Sequence, residues 1–278
     1  MIKMHKTSRL ICMQRLKGFS ALVTGANSGI GRAIALALGS EGANVVVNYV
    51  AEPKEADKVV SEIKAKKGRA IAIRADVSNE EEVKKMFSRI IEEFGTIDIL
   101  VSNAGIQRDS DFVNMTLKQW QQVLDVNLTG GFLCAREAAK EFLRRGVVKD
   151  RSLCAGKIIF ISSVHEVIPW ARHCNYATSK GGTMLLMKSI AQELAPYKIR
   201  VNSIGPGAIK TPINKSAWSS PEAETALLKL IPSKRVGDPQ DVATVAVWLA
   251  SDESDYVNGT TIYVDGGMTL YPGFETGG

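Results

Sequence analysis

Aromatic side chains are scarce in this sequence, at 6% of 278 residues. Single-stranded nucleic acid is held by stacking rings along a basic groove, and no recognisable nucleic-acid motif accompanies the few rings present. The formal charge of +6 is therefore not read as a nucleic-acid surface. Much of the basic surplus gathers in two places, at Lys3, His5, Lys6, Arg9, Arg15 and Lys17, and at Arg144, Arg145, Lys149 and Arg151. Long apolar runs are also missing. Nothing approaches the roughly 18 residues a membrane span needs, and the basic start lacks the apolar core of a secretory signal. Cysteine is sparse, with Cys12, Cys134, Cys154 and Cys174 scattered without the close pairs of a zinc site. Free thiols fit a reducing, cytoplasmic setting, and no metal is expected. Internal repeats, low-complexity tracts and an internal domain boundary are absent as well.

What is present is a 45% apolar chain long enough for one large core. Apolar runs at Phe19–Thr24, Asn44–Tyr49, Ala70–Ala75, Ile97–Val101, Lys157–Ser162, Arg200–Ile204 and Thr261–Val264 read as strands. Between them, helical periodicity covers Ala33–Leu38, Glu55–Lys66, Glu80–Phe94, Trp120–Phe142, Tyr176–Leu194 and Asp238–Ala250. Such alternation predicts one α/β domain over residues 16–278, a Rossmann-like, doubly wound, parallel seven-stranded sheet with helices on both faces. The Gly205-Pro206-Gly207 break opens a segment, about 207–232, expected to be a mobile flap. Residues 1–15 are expected to be a disordered extension, with Met13 a plausible start.

The first strand runs into Gly25-Ala-Asn27-Ser28-Gly29-Ile30-Gly31 and then into a helix. Glycines there let the backbone turn tightly and approach a pyrophosphate, whose charge suits the free N–H groups of a helix start. The spacing G-x-x-x-G-x-G departs from the general dinucleotide fingerprint, and position carries the reading. The second strand ends at Asn48 and Tyr49, followed by Val50, where an adenosine ribose would lie. An acid there would favour NAD and an arginine NADP. Neither is present, so both cofactors stay open, with Arg32 and Lys54 as possible phosphate partners.

Tyr176 and Lys180 lie four residues apart, on one face of a helix. At about 4 Å and an effective dielectric near 20, an ammonium and a phenolate attract by roughly 4 kcal/mol. That is about three pKa units, enough to bring a phenol towards neutrality as an acid or base. Ser163, at the carboxyl end of the fifth strand, can offer a hydroxyl to the oxygen whose proton moves. Such a site handles a carbinol or carbonyl oxygen. Asn127, polar among apolar neighbours, reads equally as a satisfied core amide or as part of the site.

Taken in order, Thr24-Gly25-x-x-x-Gly29-x-Gly31, Asp76-Val77, Asn103-Ala104-Gly105, Asn127, Ser163, Tyr176-x-x-x-Lys180 and Pro206-Gly207 resemble the short-chain dehydrogenase/reductase family over residues 16–278. The resemblance implies hydride transfer between NAD or NADP and a secondary alcohol or hemiacetal. It implies Tyr176 as acid and base, Ser163 orienting the substrate oxygen, Lys180 lowering the tyrosine pKa and holding the nicotinamide ribose, and Asn127 supporting a water chain. It places Asp76 and Val77 at the adenine, Thr211 at the carboxamide, and Pro206, Gly207 and Ile209 with the glycine turn and Asn103-Ala104-Gly105 around the cofactor. Within the family, Ser162-Ser-Val-His165-Glu166-Val-Ile-Pro-Trp170 and the tail to Phe274 are similar to the glucose 1-dehydrogenase branch. That likeness implies a sugar substrate, with His165 either bonding a sugar hydroxyl or fixing its own loop. A homotetramer is implied too, through the helices near 120–142 and 176–194 and through the glycine-rich tail. The sequence departs from that branch in a longer 146–154 loop, an altered 171–174 stretch and Val50 in place of an arginine. The competing activity is reduction of a 3-oxoacyl thioester, and the non-enzymatic alternative is a cofactor-sensing or scaffolding protein.

Overall fold

A computed structural model of the chain describes residues 14–270. The expectations for residues 1–13, for Cys12 and for the tail to Phe274 fall outside them. Seven strands form one sheet: β1 Ser20–Val23, β2 Asn44–Tyr49, β3 Arg69–Arg74, β4 Ile99–Ser102, β5 Gly156–Ile161, β6 Ile199–Pro206 and β7 Thr261–Val264. They lie in the order β3-β2-β1-β4-β5-β6-β7, and every neighbouring pair is parallel. The chain reverses direction across the sheet between β1 and β4, which opens a crevice at the carboxyl ends of the strands.

Side chains alternate across the sheet, so its two faces feed two separate cores. Ala21 and Val23 pack with α1 (Gly29–Ser40), α2 (Pro53–Ala65) and α8 (Pro239–Ala250), in a core holding Ile34, Leu38, Val59 and Val242. Leu22 faces the other way, towards α3 (Glu80–Phe94), α5 (Gly130–Arg145) and α6 (Cys174–Leu194), with Phe87, Phe142 and Met187. Both faces being covered explains why β5 and β6 are buried along their whole length.

The single helix expected over Trp120–Phe142 is in fact three pieces. α4 (Leu117–Leu124) begins at a Thr116–Gln119 capping box, a π turn follows over Asp125–Thr129, and α5 then resumes. The wide turn adds a residue to the helical circuit and aims Asn127 inwards. Gly130 follows it because a Cβ there would lie 2.8 Å from the Val77 side chain. The stretch 207–232 carries a short 3-10 turn over Pro212–Ala217 and α7 (Pro221–Leu228), capped by Ser220.

The long loop between α5 and β5 is pinned at the amino ends of the strands, opposite the crevice. Arg151 donates to the Gly18 carbonyl (2.5 Å) and to Asp98 (2.6 Å), while Ser152 and the Leu153 N–H bond Asp252. Asp98 also meets Arg145 at 2.5 Å and accepts the Ser20 N–H. Among the described residues no helix is long and apolar enough to cross a membrane, and no cluster of His, Cys, Asp and Glu could hold a metal.

Candidate active site

A cavity of about 1050 Å³ fills the crevice. One end is the turn between β1 and α1, where Gly25 and Gly29 adopt positive φ of 60° and 53°. Gly31 is required for a different reason: any Cβ would strike the Asn103 amide and the Gly25 carbonyl. Thr24 and Asn103 lock this turn to β4. The Thr24 hydroxyl accepts the N–H groups of Asn103 (2.9 Å) and Ala104 (3.0 Å), and the Asn103 amide donates to the Thr24 and Gly25 carbonyls. Ser28 begins α1 with no side-chain cap, leaving the helix-start N–H groups turned to the cavity. The cradle therefore fits the pyrophosphate of a dinucleotide, in its free donors and in its room.

Asn27, Ser28, Ile30, Asp76, Val77, Ala104 and Gly105 line this end as well. Asn48 reaches the cavity, but its side chain is a structural clip, accepting from the Gly25 N–H and donating to the Ile73 and Ala75 carbonyls. Tyr49 does not line the cavity. It packs on the core under α1 and α2, because consecutive strand residues face opposite ways, and Val50 stands at the wall instead. Arg32 and Lys54 are off the wall too, and Arg32 is held by both oxygens of Glu62. Asp76 turns one carboxylate oxygen to the Ser78 N–H and hydroxyl.

Pro206, Gly207, Ile209 and Thr211 border the middle of the cavity, and Thr211 caps its 3-10 turn through Asn214. A Cβ on Gly29 would lie 3.4 Å from Thr211, so the loop after β6 closes against the glycine turn. Ser163, Tyr176 and Lys180 converge opposite. Ser163 lies two residues past the end of β5 and accepts the His165 N–H, which caps a 3-10 turn. Burial holds the Tyr176 phenol above its ordinary pKa, and the nearby Ser163 hydroxyl draws it down by less.

Lys180 sits 5.5 Å from the Tyr176 ring centre and donates to the Ile161 carbonyl at 2.8 Å. Burial pushes its own pKa down to about 8, against the pull of Glu166. The expected acidification of Tyr176 by Lys180 is thus not found in this form of the chain. Both groups lie in a low dielectric, where desolvation penalises each charge. Asn127 does not line the cavity. Its amide bonds both backbone groups of Ile106 and the Ser179 hydroxyl, fixing the loop after β4 to α6.

His165 lines the cavity with Nδ1 3.1 Å from the Ile168 carbonyl. A carbonyl only accepts, so Nδ1 carries the proton and neutral Nε2 is an acceptor; burial lowers the His165 pKa and favours that neutral form. Its ring stacks on Trp170 at 4.2 Å, and Trp170 stacks on His173 at 3.6 Å. Sequence reading singled out neither Trp170 as a wall residue nor Ile106, Gln107 and Leu230 on the same cavity. These are loop residues whose direction depends on tertiary packing.

The protein-family model described as enoyl-(acyl carrier protein) reductase matches residues 25–269. The 3beta-hydroxysteroid dehydrogenase 1 of Eggerthella lenta is 48% identical over 94% of this chain and 98% of its own. Glucose 1-dehydrogenase 2 of Bacillus subtilis is 42% identical over 92% and 97%. A crystal structure of gluconate 5-dehydrogenase from Burkholderia cenocepacia, in complex with NADP and tartrate, superposes with a TM-score of 0.85, at 32% identity over 93% and 98% of the chains.

Proposed function

Because the chain belongs to the short-chain dehydrogenase/reductase family, and is an NAD(P)-dependent dehydrogenase acting on CH–OH groups, we propose that its substrate is a secondary alcohol on a bulky, largely apolar ring, or the matching ketone. The observation that carries this is the wall beyond Ser163 and Tyr176. Ile168, Pro169, Trp170, Ile213, Leu227 and Leu230 line the cavity along with the polar Gln107, His165, Asn214 and Lys229, and among the described residues its only carboxylate is Asp76 at the glycine-turn end. A hexose would leave several hydroxyls facing apolar groups, which is costly. The Eggerthella relative's name, a hydroxysteroid dehydrogenase, agrees with such a wall.

The nicotinamide supplies the acceptor or donor of hydride. The glycine turn and the uncapped start of α1 would hold the dinucleotide's pyrophosphate, and Thr211 and Lys180, on the same cavity, would meet its nicotinamide half. Tyr176 moves the proton at the substrate oxygen, and Ser163 steadies the charge that develops there. Held above its ordinary pKa by burial, the Tyr176 phenol is protonated at neutral pH and ready to donate to a carbonyl oxygen. Alcohol oxidation needs the phenolate and gains as pH rises. Asn127 positions Ile106 on the wall. The same reading places the chain in a homotetramer through α5 and α6, where Phe132, Leu143 and Leu185 are exposed.

A second reading, oxidation of a sugar such as glucose, is favoured by the free His165 Nε2 acceptor on the cavity and by the Bacillus relative. Absorbance of the reduced nicotinamide separates the readings, with NAD and NADP tested against a 3β-hydroxysteroid, glucose and other aldoses, small alcohols and a 3-oxoacyl thioester. The steroid is expected to exceed glucose in kcat/KM by at least about tenfold, the value of one or two buried apolar groups. Faster turnover of glucose would transfer the assignment to sugars, and faster reduction of the thioester would remove both.

A further inference from the structure

We propose that His173 is a positioning residue for specificity: braced by Asp109 on a second loop, it holds Trp170 in the cavity wall and limits how thick a ring system can enter. The proposal rests on the reading of the substrate as a bulky, largely apolar ring.

Trp170 belongs to the loop between β5 and α6 and lines the cavity, while His173 at the start of α6 does not. His173 therefore acts through its neighbour. Its ring lies 3.6 Å from the Trp170 ring and within 5° of parallel, and its backbone N–H donates to the Trp170 carbonyl at 3.2 Å. A stacked partner at that distance fixes the plane of the indole. The imidazole is itself held from the loop after β4, with Nε2 3.3 Å from the Asp109 carboxylate. A carboxylate only accepts, so Nε2 donates. Nδ1, 2.8 Å from the Ala171 carbonyl, completes a second contact when the ring takes up another proton.

The brace does not act alone, because each residue from 108 to 111 of the β4 loop is tied to the same stretch. The fully buried Asn175 donates to the Arg108 carbonyl at 2.8 Å, and the Ser110 N–H donates to the Arg172 carbonyl at 3.0 Å. The Arg172 guanidinium meets Asp111 at 2.9 Å. Arg172 also holds a positive φ of 71°. A non-glycine residue keeps that conformation only where its surroundings over-determine it, and here the turn aims its carbonyl at Ser110. Arg172 and His173 both fall in the 171–174 stretch where the sequence departs from the glucose 1-dehydrogenase branch.

Hydrogen exchange of the full-length chain, read by mass spectrometry on peptides covering 104–112 and 166–175, tests the brace without turnover. Asp109→Ala alters a half-exposed side chain outside the core, and His173→Phe keeps a ring on Trp170 but cannot reach Asp109. Each is expected to speed exchange in both peptides about threefold, the worth of a partly exposed ion pair. The double variant is expected to go no further than either alone. Faster exchange confined to the substituted loop, or strictly additive effects, overturns the brace. The specificity arm compares two 3β-hydroxysteroids that differ only at the junction of the first two rings, one trans-fused and flat, the other cis-fused and bent. The wild type is expected to favour the flat isomer by about tenfold in kcat/KM. Both variants are expected to narrow that preference about threefold, through KM rather than kcat. An unchanged preference, or an equal fall in kcat for both isomers, overturns the role in specificity. If neither isomer is turned over, it is the substrate reading that falls, and the exchange measurement still decides the brace.

Discussion

Tyr176 is half-buried and stands edge-on to Trp170 and His165, with ring centres 6.1 and 6.4 Å apart, and the Ser163 hydroxyl is near enough to pull its pKa down against the larger effect of burial. Replacing its hydroxyl removes the proton donor and little else, since the ring fills the same space. Tyr176→Phe is therefore expected to lower kcat by about 10²–10⁴, with cofactor affinity unchanged in a fluorescence titration; a fully active variant would sink the assignment. The short spacing from Tyr176 to Lys180 was readable in the sequence, because four residues bring two side chains to one helix face. The sign of the tyrosine shift was not. That sign depends on how deeply both groups are buried and on Lys180 turning to the Ile161 carbonyl, and neither is written in the spacing.

Among the elements, the turn between β1 and α1 carries a sharp steric demand. Gly31 has ordinary φ and is fixed by space alone, with Asn103 and the Gly25 carbonyl where a methyl would go. Gly31→Ala is expected to destabilise the fold by about 1–3 kcal/mol, the usual cost of overpacking. Cofactor binding should weaken with it, both read by thermal unfolding with and without nucleotide. Strand and helix order could be read directly, since apolar runs of a few residues between amphipathic stretches have no other home than a covered parallel sheet. The π turn over Asp125–Thr129 could not be read. One added residue leaves the periodicity on either side intact, so the sequence looks like a continuous helix. Tyr49 failed for a similar reason: the strand end was located correctly, but which neighbour faces the crevice follows from a one-residue phase.

Across the whole molecule, chemistry and charge are segregated to opposite ends of the sheet. The carboxyl ends hold the cavity, and the amino ends hold Asp98 among Arg145, Arg151 and the Ser20 N–H. Asp98→Ala removes the one anion that Arg145 and Arg151 share, and breaking such a buried pair costs about 3–5 kcal/mol. The melting temperature is expected to fall accordingly, with KM for substrate and cofactor unchanged because the site is at the far end. A fall in kcat/KM without a fall in stability would show that the two ends communicate.

Trp170 has His165 against one face and His173 against the other, and His173 is itself 3.3 Å from Asp109 in the loop after β4. A slab with both broad sides already taken cannot slide between a ligand and its neighbours; it offers only its rim. Incoming molecules are then sorted by girth, as by the jaw of a fixed gauge, and widening that gap requires the two loops to part together.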